Sequence, residues 1–336
     1  MRISDHFHLI IHRSFIMVVA ILFVSLYISP ICGASSPSGA LSGMDLARIL
    51  VKKAVAYEQS GLYEEAEAAC RAAIIAFPLY ADSYTVLGLV LSRSGQYRES
   101  LLAFDRAIIL DSRDSRAWYY RGVAFQRLHR YDEAKRDFDY ALMLNPTDTR
   151  ALVSLGEVLL VLRDYSGAIK SFETAATYDP SDGSAFAGWG ESLFRISDLP
   201  LAEKKTIKAL ELYPDNLRAW GVMAEISSAL GKDDWAAYYR RTADEISRYM
   251  MSMPEYAKAL SLQRFFSFKM ALSAYDAAIR RYPQESVVWT GRAEVLKELG
   301  CPDESLRSYD RAVTLDPENS KIRIQRNLVK GMIGGV

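Results

Sequence analysis

The chain is poor in the residues that build most active sites. Its 336 residues include only 3 cysteines and 4 histidines. His6, His8 and His12 sit together near the start, and His129 stands alone. A metal centre needs several converging ligands, so no metal site is expected. The chain has no CxxC pair, HExxH, GxSxG elbow or GxxxxGK[ST] loop, which removes the common signatures of zinc hydrolases, serine hydrolases and phosphate-binding loops. Neither charge dominates, since 41 basic side chains balance 41 acidic ones. A nucleic-acid binder usually carries a basic excess, and none appears in the totals. The residues therefore predict a chain that is not an enzyme, carries no cofactor and binds no nucleic acid.

Charge is missing altogether from Ser14 to Met44. Before that gap stand Arg2 and Arg13, with Asp5 as the one acid. Within it runs the apolar segment Phe15 to Ile31, followed by small residues. A positive start, an apolar run and small residues form the layout of a secretory signal peptide. Cleavage after Ala34 places Cys32 and Ala34 at the minus-three and minus-one positions, with Pro30 breaking the helix ahead of them. The other reading is an uncleaved anchor, because the run reaches the lower limit of about 17 residues for crossing a bilayer. Ser29, Pro30 and Ile31 ahead of Cys32 do not resemble a lipobox. Residues 1–34 are thus read as a signal or anchor that touches the membrane at least during export, and residues 35–46 as a linker. The remainder is expected outside the cytoplasm, secreted or membrane-anchored. Cys70 and Cys301 fall at opposite ends of the repeats described next, beyond the roughly 7 Å that a disulfide tolerates, and are expected to be free thiols.

What the sequence has in quantity is self-similarity. Alanine recurs at Ala73, Ala107, Ala141, Ala175, Ala209 and Ala243, each 34 residues apart, and resumes at Ala278 and Ala312 after a one-residue slip. A second small-residue track runs Ala54, Gly88, Gly122, Gly156, Gly190, Ala224, Ala259, Ala293. A third runs Ala66, Ser100, Ala134, Ala168, Ala202, Ala236, Ala271, Ser305. Proline punctuates at Pro78, Pro146, Pro180, Pro214, Pro283 and Pro317, and aromatics recur at Tyr63, Tyr97, Tyr131, Tyr165 and Phe268. A fixed period of this length marks a solenoid.

The segment Arg116 to Asp148 carries Trp118, Gly122, Phe125, Tyr131, Ala134, Phe138, Ala141 and Pro146 in the order of a known motif. The chain resembles the tetratricopeptide-repeat family, in eight units over residues 47–317. The resemblance implies an all-α fold: an α-solenoid, a right-handed superhelix of about eight helix pairs with a C-terminal capping helix. Small residues on the first helix of each pair, helix A, let it approach the alanine or serine of helix B at the low end of about 8–10 Å. Proline is expected to stop helix B, and Asp114, Asp148, Asp182 and Asn216 to cap the next helix A. The sixth unit departs from the pattern. Arg240 and Arg248 stand where an aromatic and a proline are expected, and the slip falls within Ile246 to Tyr256. Either a kinked, loosened junction near 240–256 or a regular stack with an unusual turn fits. Residues 318–336 read as a polar capping helix and tail.

In this family the groove is lined by the second, fifth, sixth, ninth, twelfth and thirteenth places of helix A. Here the ninth place holds Glu157, Glu191 and Glu225 in adjacent units, a glutamate ladder. Arg116, Arg150 and Arg218 occupy the second place, and Arg127 and Arg195 the thirteenth. Tyr119, Tyr120, Phe194 and Tyr256 add aromatic surface. Ten bases and seven acids over those places make the groove mixed in charge. The plain reading pairs the ladder with Arg150, Arg195 and Arg218 for solubility alone. The functional reading has Tyr119 and Tyr120 as apolar anchors and the charged rows as register for a partner peptide. The lysine and asparagine with which some family members hold chaperone tails are missing, because Val51, Thr85 and Tyr119 and then Val55, Leu89 and Val123 occupy those places. Expected function is an exported or membrane-anchored scaffold binding a protein or peptide. Two further readings stay open: a self-associating envelope component, and a regulatory or targeting subunit of a separate enzyme.

Overall fold

The computed structural model describes residues 42–334. The signal or anchor read over residues 1–34 lies outside the described residues, as does most of the linker. Among the described residues there are seventeen α-helices and no strand. Sixteen form pairs: α1 (Gly43–Gln59) with α2 (Tyr63–Ala76), α3 (Ala81–Arg93) with α4 (Tyr97–Leu110), α5 (Ser115–Arg127) with α6 (Tyr131–Leu144), α7 (Thr149–Val161) with α8 (Tyr165–Tyr178), α9 (Gly183–Arg195) with α10 (Leu199–Leu212), α11 (Leu217–Ala229) with α12 (Asp233–Met250), α13 (Pro254–Arg264) with α14 (Phe268–Arg281), and α15 (Ser286–Glu298) with α16 (Pro302–Leu315). The last, α17 (Ser320–Gly334), packs on α16. The first helix begins inside the span read as linker, where Ser42 accepts a hydrogen bond from the Asp45 amide at 3.1 Å.

Each pair turns on one left-handed residue. The positions are Gly61, Gly95, His129, Arg163, Ser197, Gly231, Phe266 and Gly300, all with φ between 59° and 84°. After each, the next amide donates to a carbonyl five residues back, as in Arg130 to Phe125 at 2.9 Å and Gln96 to Leu91 at 2.8 Å. This closes helix A with a Schellman-type bond that satisfies an otherwise orphaned carbonyl.

Helix A starts as its caps dictate. Asp114, Asp148, Asp182 and Asn216 each accept a backbone amide from the first turn of the helix that follows. Proline is not what ends helix B everywhere. The second unit has Ser112 in that place, yet α4 still ends at Leu110. There Asp111 accepts the Arg113 amide at 2.9 Å and the Trp118 indole donates to the Ser112 carbonyl at 3.0 Å. Trp220 and Trp289 make the same bond to the carbonyls of Pro214 and Pro283.

Three glycines of the small track meet aromatic rings as their nearest neighbours. A methyl built on Gly88, Gly122 or Gly156 would lie 2.5, 2.8 or 2.7 Å from Phe104, Phe138 or Phe172 respectively. These rings are fully buried, so each glycine is a socket for a ring from its own helix B. Cys70 fills the equivalent place in the first unit, opposite Ala54, and both are buried.

A second periodic contact ties neighbouring units. Arg121 bridges back to Asp105 at 2.6 Å and across to buried Asp137 at 2.7 Å. Arg292 with Asp276, and Arg326 with Asp310, repeat the backward bridge at the same 16-residue spacing. In the fifth unit Trp189 takes the arginine's place, and the cation comes from helix B instead, with Lys205 Nζ 3.2 Å from the Trp189 ring centroid.

At the sixth unit α12 runs on to Met250 and α13 is short. The slip is absorbed as extra helix. Ile246, Trp220, Tyr256 and Tyr275 share one continuous buried cluster, so the units pack without a gap. Arg240 is exposed, while its neighbour Tyr239 packs on Trp220 with ring centroids 5.8 Å apart. Tyr256 is a correction: read as groove surface, it is only 5% exposed. The extra turn of α12 brings Tyr249 edge-on to its ring at 4.8 Å, and burial raises its hydroxyl pKa well above the usual value.

The capping helix also differs from the polar surface expected. Ile322 and Val329 are buried against the stack, but Ile324, Leu328 and Met332 form an exposed apolar stripe. Those three occupy the fifth, ninth and thirteenth places of the helix, whereas the places that would meet a following helix B hold Arg323, Asn327 and Lys330.

Candidate functional site

The helix-A faces of the third to fifth units, with Arg218 reaching in from the sixth, enclose an open cavity of about 1040 Å³. Two sets of residues line it. Tyr119, Val123, Gln126 and Arg127 of α5, Ser154, Glu157, Leu160 and Val161 of α7, Glu191 and Arg195 of α9, and Arg218 of α11 form floor and walls. His129, Tyr131, Arg163 and Tyr165 form a rim at the turns into helix B. The 34-residue period sets this arrangement, because it returns the same helix face to the same side in each unit.

The ladder is joined by arginines into one network. Arg218 Nε donates to Glu191 at 2.6 Å, and its guanidinium lies 3.6 Å from Glu157. Arg195 lies 3.4 Å from Glu191 and 3.8 Å from Glu225. The Gln126 amide donates to Glu157 at 3.2 Å. Each glutamate therefore has a partner, and repulsion between rungs is cancelled locally. The exposed pair of Arg195 with Glu225 contributes at most about 1 kcal/mol to stability.

Arg150 is a correction to the expected pairing, because it meets none of the glutamates. Its guanidinium binds Asp148 at 2.9 Å and lies 5.1 Å from the Tyr119 ring centroid. Arg116 is held by Asp114 at 2.9 Å and by Asp82, away from the cavity. The same aspartates that cap helix A thus neutralise two of the second-place arginines, Arg116 and Arg150. Tyr119 faces the cavity, and burial raises its hydroxyl pKa. Tyr120 turns away. Its ring packs near Phe104, centroids 6.3 Å apart, against Leu101 and Ala124 at the junction of the second and third units. Phe194 packs at the edge of the core beneath Arg195, 5.6 Å from the guanidinium. The structure therefore gathers Tyr119, Arg127, Glu157, Glu191, Arg195 and Arg218 around one space, with Glu225 at its border. Arg116, Tyr120 and Phe194 do not line that space.

Sequence reasoning passed over the rim. His129 and Arg163 occupy a glycine place, and their side chains enter the site because the chain takes a left-handed turn there. The signal was a periodic one: glycine at positions 61, 95, 231 and 300 gives way to larger residues at 129 and 163.

Family models described as tetratricopeptide repeat match residues 47–74, 115–148, 154–216 and 256–320, more than half of the chain. The chain belongs to the tetratricopeptide-repeat family. Among solved structures, pilF of Pseudomonas aeruginosa is similar over 68% of this chain and 99% of its own, at 20% identity and a TM-score of 0.54. A tetratricopeptide-repeat protein from Parabacteroides merdae is 15% identical over 84% of this chain and 98% of its own, with a TM-score of 0.48. YrrB, described as a TPR protein with an unusual peptide-binding site, is 23% identical over 58% of this chain and 96% of its own, with a TM-score of 0.47. No curated protein matches the chain. The likeness to pilF supports the solenoid fold and nothing beyond it. As a tetratricopeptide-repeat protein, the chain is a scaffold for protein–protein contact, built as the right-handed solenoid of that family. Among the described residues no helix is long and apolar enough to cross a membrane.

Proposed function

We propose that the chain is a non-catalytic scaffold, exported or membrane-anchored, that holds a partner peptide along the concave face of its third to fifth units. One observation carries the reading. The same helix-A places, taken from consecutive units, converge on a single cavity of about 1040 Å³. That is the upper end of the range of about 300–1,000 Å³ in which protein sites enclose ligands, and its open side suits a chain passing through. Aromatic walls and a charged floor give both contact area and register. Placement outside the cytoplasm rests on the uncharged, apolar segment between Ser14 and Met44 alone.

The test is peptide-display panning against the full chain and against Ser154→Trp. Ser154 is half-buried in the cavity wall, so an indole there fills the space without entering the core. Peptides enriched on the natural protein should bind the variant about tenfold more weakly, while its helical signal is unchanged. Equal binding to both would move capture to another surface.

A second reading, self-association, is favoured by the stripe of Ile324, Leu328 and Met332 on α17. Sedimentation over a range of concentrations decides it: Leu328→Glu should abolish any concentration-dependent growth in mass, and a chain that stays monomeric throughout contradicts the reading.

A further inference from the structure

The charges of the cavity divide into a satisfied set and an unsatisfied one. Glu157 and Glu191 are held by Arg218, Arg195 and Gln126. The guanidinium groups of Arg127 and Arg163 have no ion pair or hydrogen bond among the described residues, and both are exposed at the cavity edge. The period explains why. Arg93, one repeat before Arg127, pairs with Glu58 at 3.4 Å. One repeat after Glu58 stands Ser92, so Arg127 finds no carboxylate there. Nor does it have the same-helix partner that Arg195 finds in Glu191, because its own ninth place is Val123.

Arg163 adds a second, independent sign. It is held at φ +62°, a region disfavoured for any residue with a Cβ, where four other units use glycine. Its neighbour on the rim, His129, is held at φ +59°, with Nδ1 2.8 Å from the Tyr131 hydroxyl. Ser197 and Phe266 take the same left-handed turn outside the cavity, so what sets His129 and Arg163 apart is that their side chains line it. Four arginines against two glutamates leave the lining with an excess of two positive charges.

Resting on the groove reading above, we propose that the occupant is an acidic peptide segment whose carboxylates meet Arg127 and Arg163 while its backbone crosses the Tyr119 wall. A guanidinium takes a carboxylate through two parallel hydrogen bonds, and at an exposed rim that attraction weakens as salt rises.

Fluorescence anisotropy on the full chain tests this with three labelled probes: a decapeptide alternating Glu and Ser, one alternating Lys and Ser, and a single-stranded RNA ten-mer. The Glu/Ser probe should bind at least tenfold more tightly than the Lys/Ser probe, and less tightly as salt is raised. Arg127→Glu combined with Arg163→Glu should weaken it tenfold or more. Arg106→Glu, exposed on α4 away from the cavity, should leave it unchanged. Preference for the Lys/Ser probe or the RNA, or full affinity in the double variant, overturns the proposal. The groove reading fails separately. If panned peptides lose binding to Ser154→Trp but ignore the arginine reversals, the groove stands and the acidic preference falls. If the Glu/Ser probe binds Ser154→Trp as tightly as the natural chain, both fall.

Discussion

Replacing Gly88 with alanine probes a close contact between a glycine and a buried ring in the repeat stack. The new methyl would lie 2.5 Å from Phe104 Cε1, 2.7 Å from Cδ1 and 2.8 Å from Cζ. Carbon pairs sit best at about 3.5–4.0 Å, so the ring must retreat by about 1 Å. Phe104 is fully buried and packs with Leu101, Ala124 and Tyr120, so its retreat presses on the next unit. Overpacking of this kind costs about 1–3 kcal/mol, whereas alanine gains about 1 kcal/mol over glycine in helix propensity. Gly221, inside α11, separates the two terms, because nothing lies within 4 Å of a methyl added there. Gly221→Ala should therefore stabilise by about 1 kcal/mol, and the two variants should differ by about 1–3 kcal/mol. Guanidinium unfolding followed by far-ultraviolet circular dichroism measures both, fitted across the whole curve because repeat arrays unfold in segments. Adding Phe104→Leu to Gly88→Ala should recover part of the loss. The reasoning is refuted if Gly88→Ala stabilises the chain as much as Gly221→Ala.

Other perturbations follow from the same packing. Arg121→Met strands buried Asp137 and should cost about 3–5 kcal/mol in denaturant unfolding, most of it recovered by adding Asp137→Leu. Burial pushes the Cys70 thiol pKa up to about 12, so at pH 8 iodoacetamide should label exposed Cys301 and spare Cys70 in the folded chain, with peptide mapping by mass spectrometry reading both. Arg163→Gly should raise stability by about 1 kcal/mol by relieving the left-handed turn, yet weaken the acidic probe in anisotropy. Opposite signs in one variant distinguish a functional side chain from a tolerated one.

The period made the architecture legible. One alanine track, two small-residue tracks and the capping aspartates located the helix pairs, because stacking requires those types at those places. What the period could not convey was competition for partners. Arg150 and Arg116 occupy groove places, but Asp148 and Asp114 lie two residues away and claim them. Tyr119 and Tyr120 are adjacent in sequence, and the helical turn sends one to the cavity and the other to Phe104. The fate of Tyr256 depended on α12 running on past its expected end, which a degenerate junction did not reveal. The pairing of the glutamate ladder with Arg195 and Arg218 was legible in the spacing, while the third arginine expected there, Arg150, is taken by Asp148.

The central claim is that a peptide occupies the concave face of the third to fifth units. Photo-crosslinking tests it most directly, with p-benzoylphenylalanine placed at Gln126 in the cavity or at Ile109, exposed outside it. A panned peptide should become attached from position 126 and not from position 109. Attachment from position 109 alone would contradict the account.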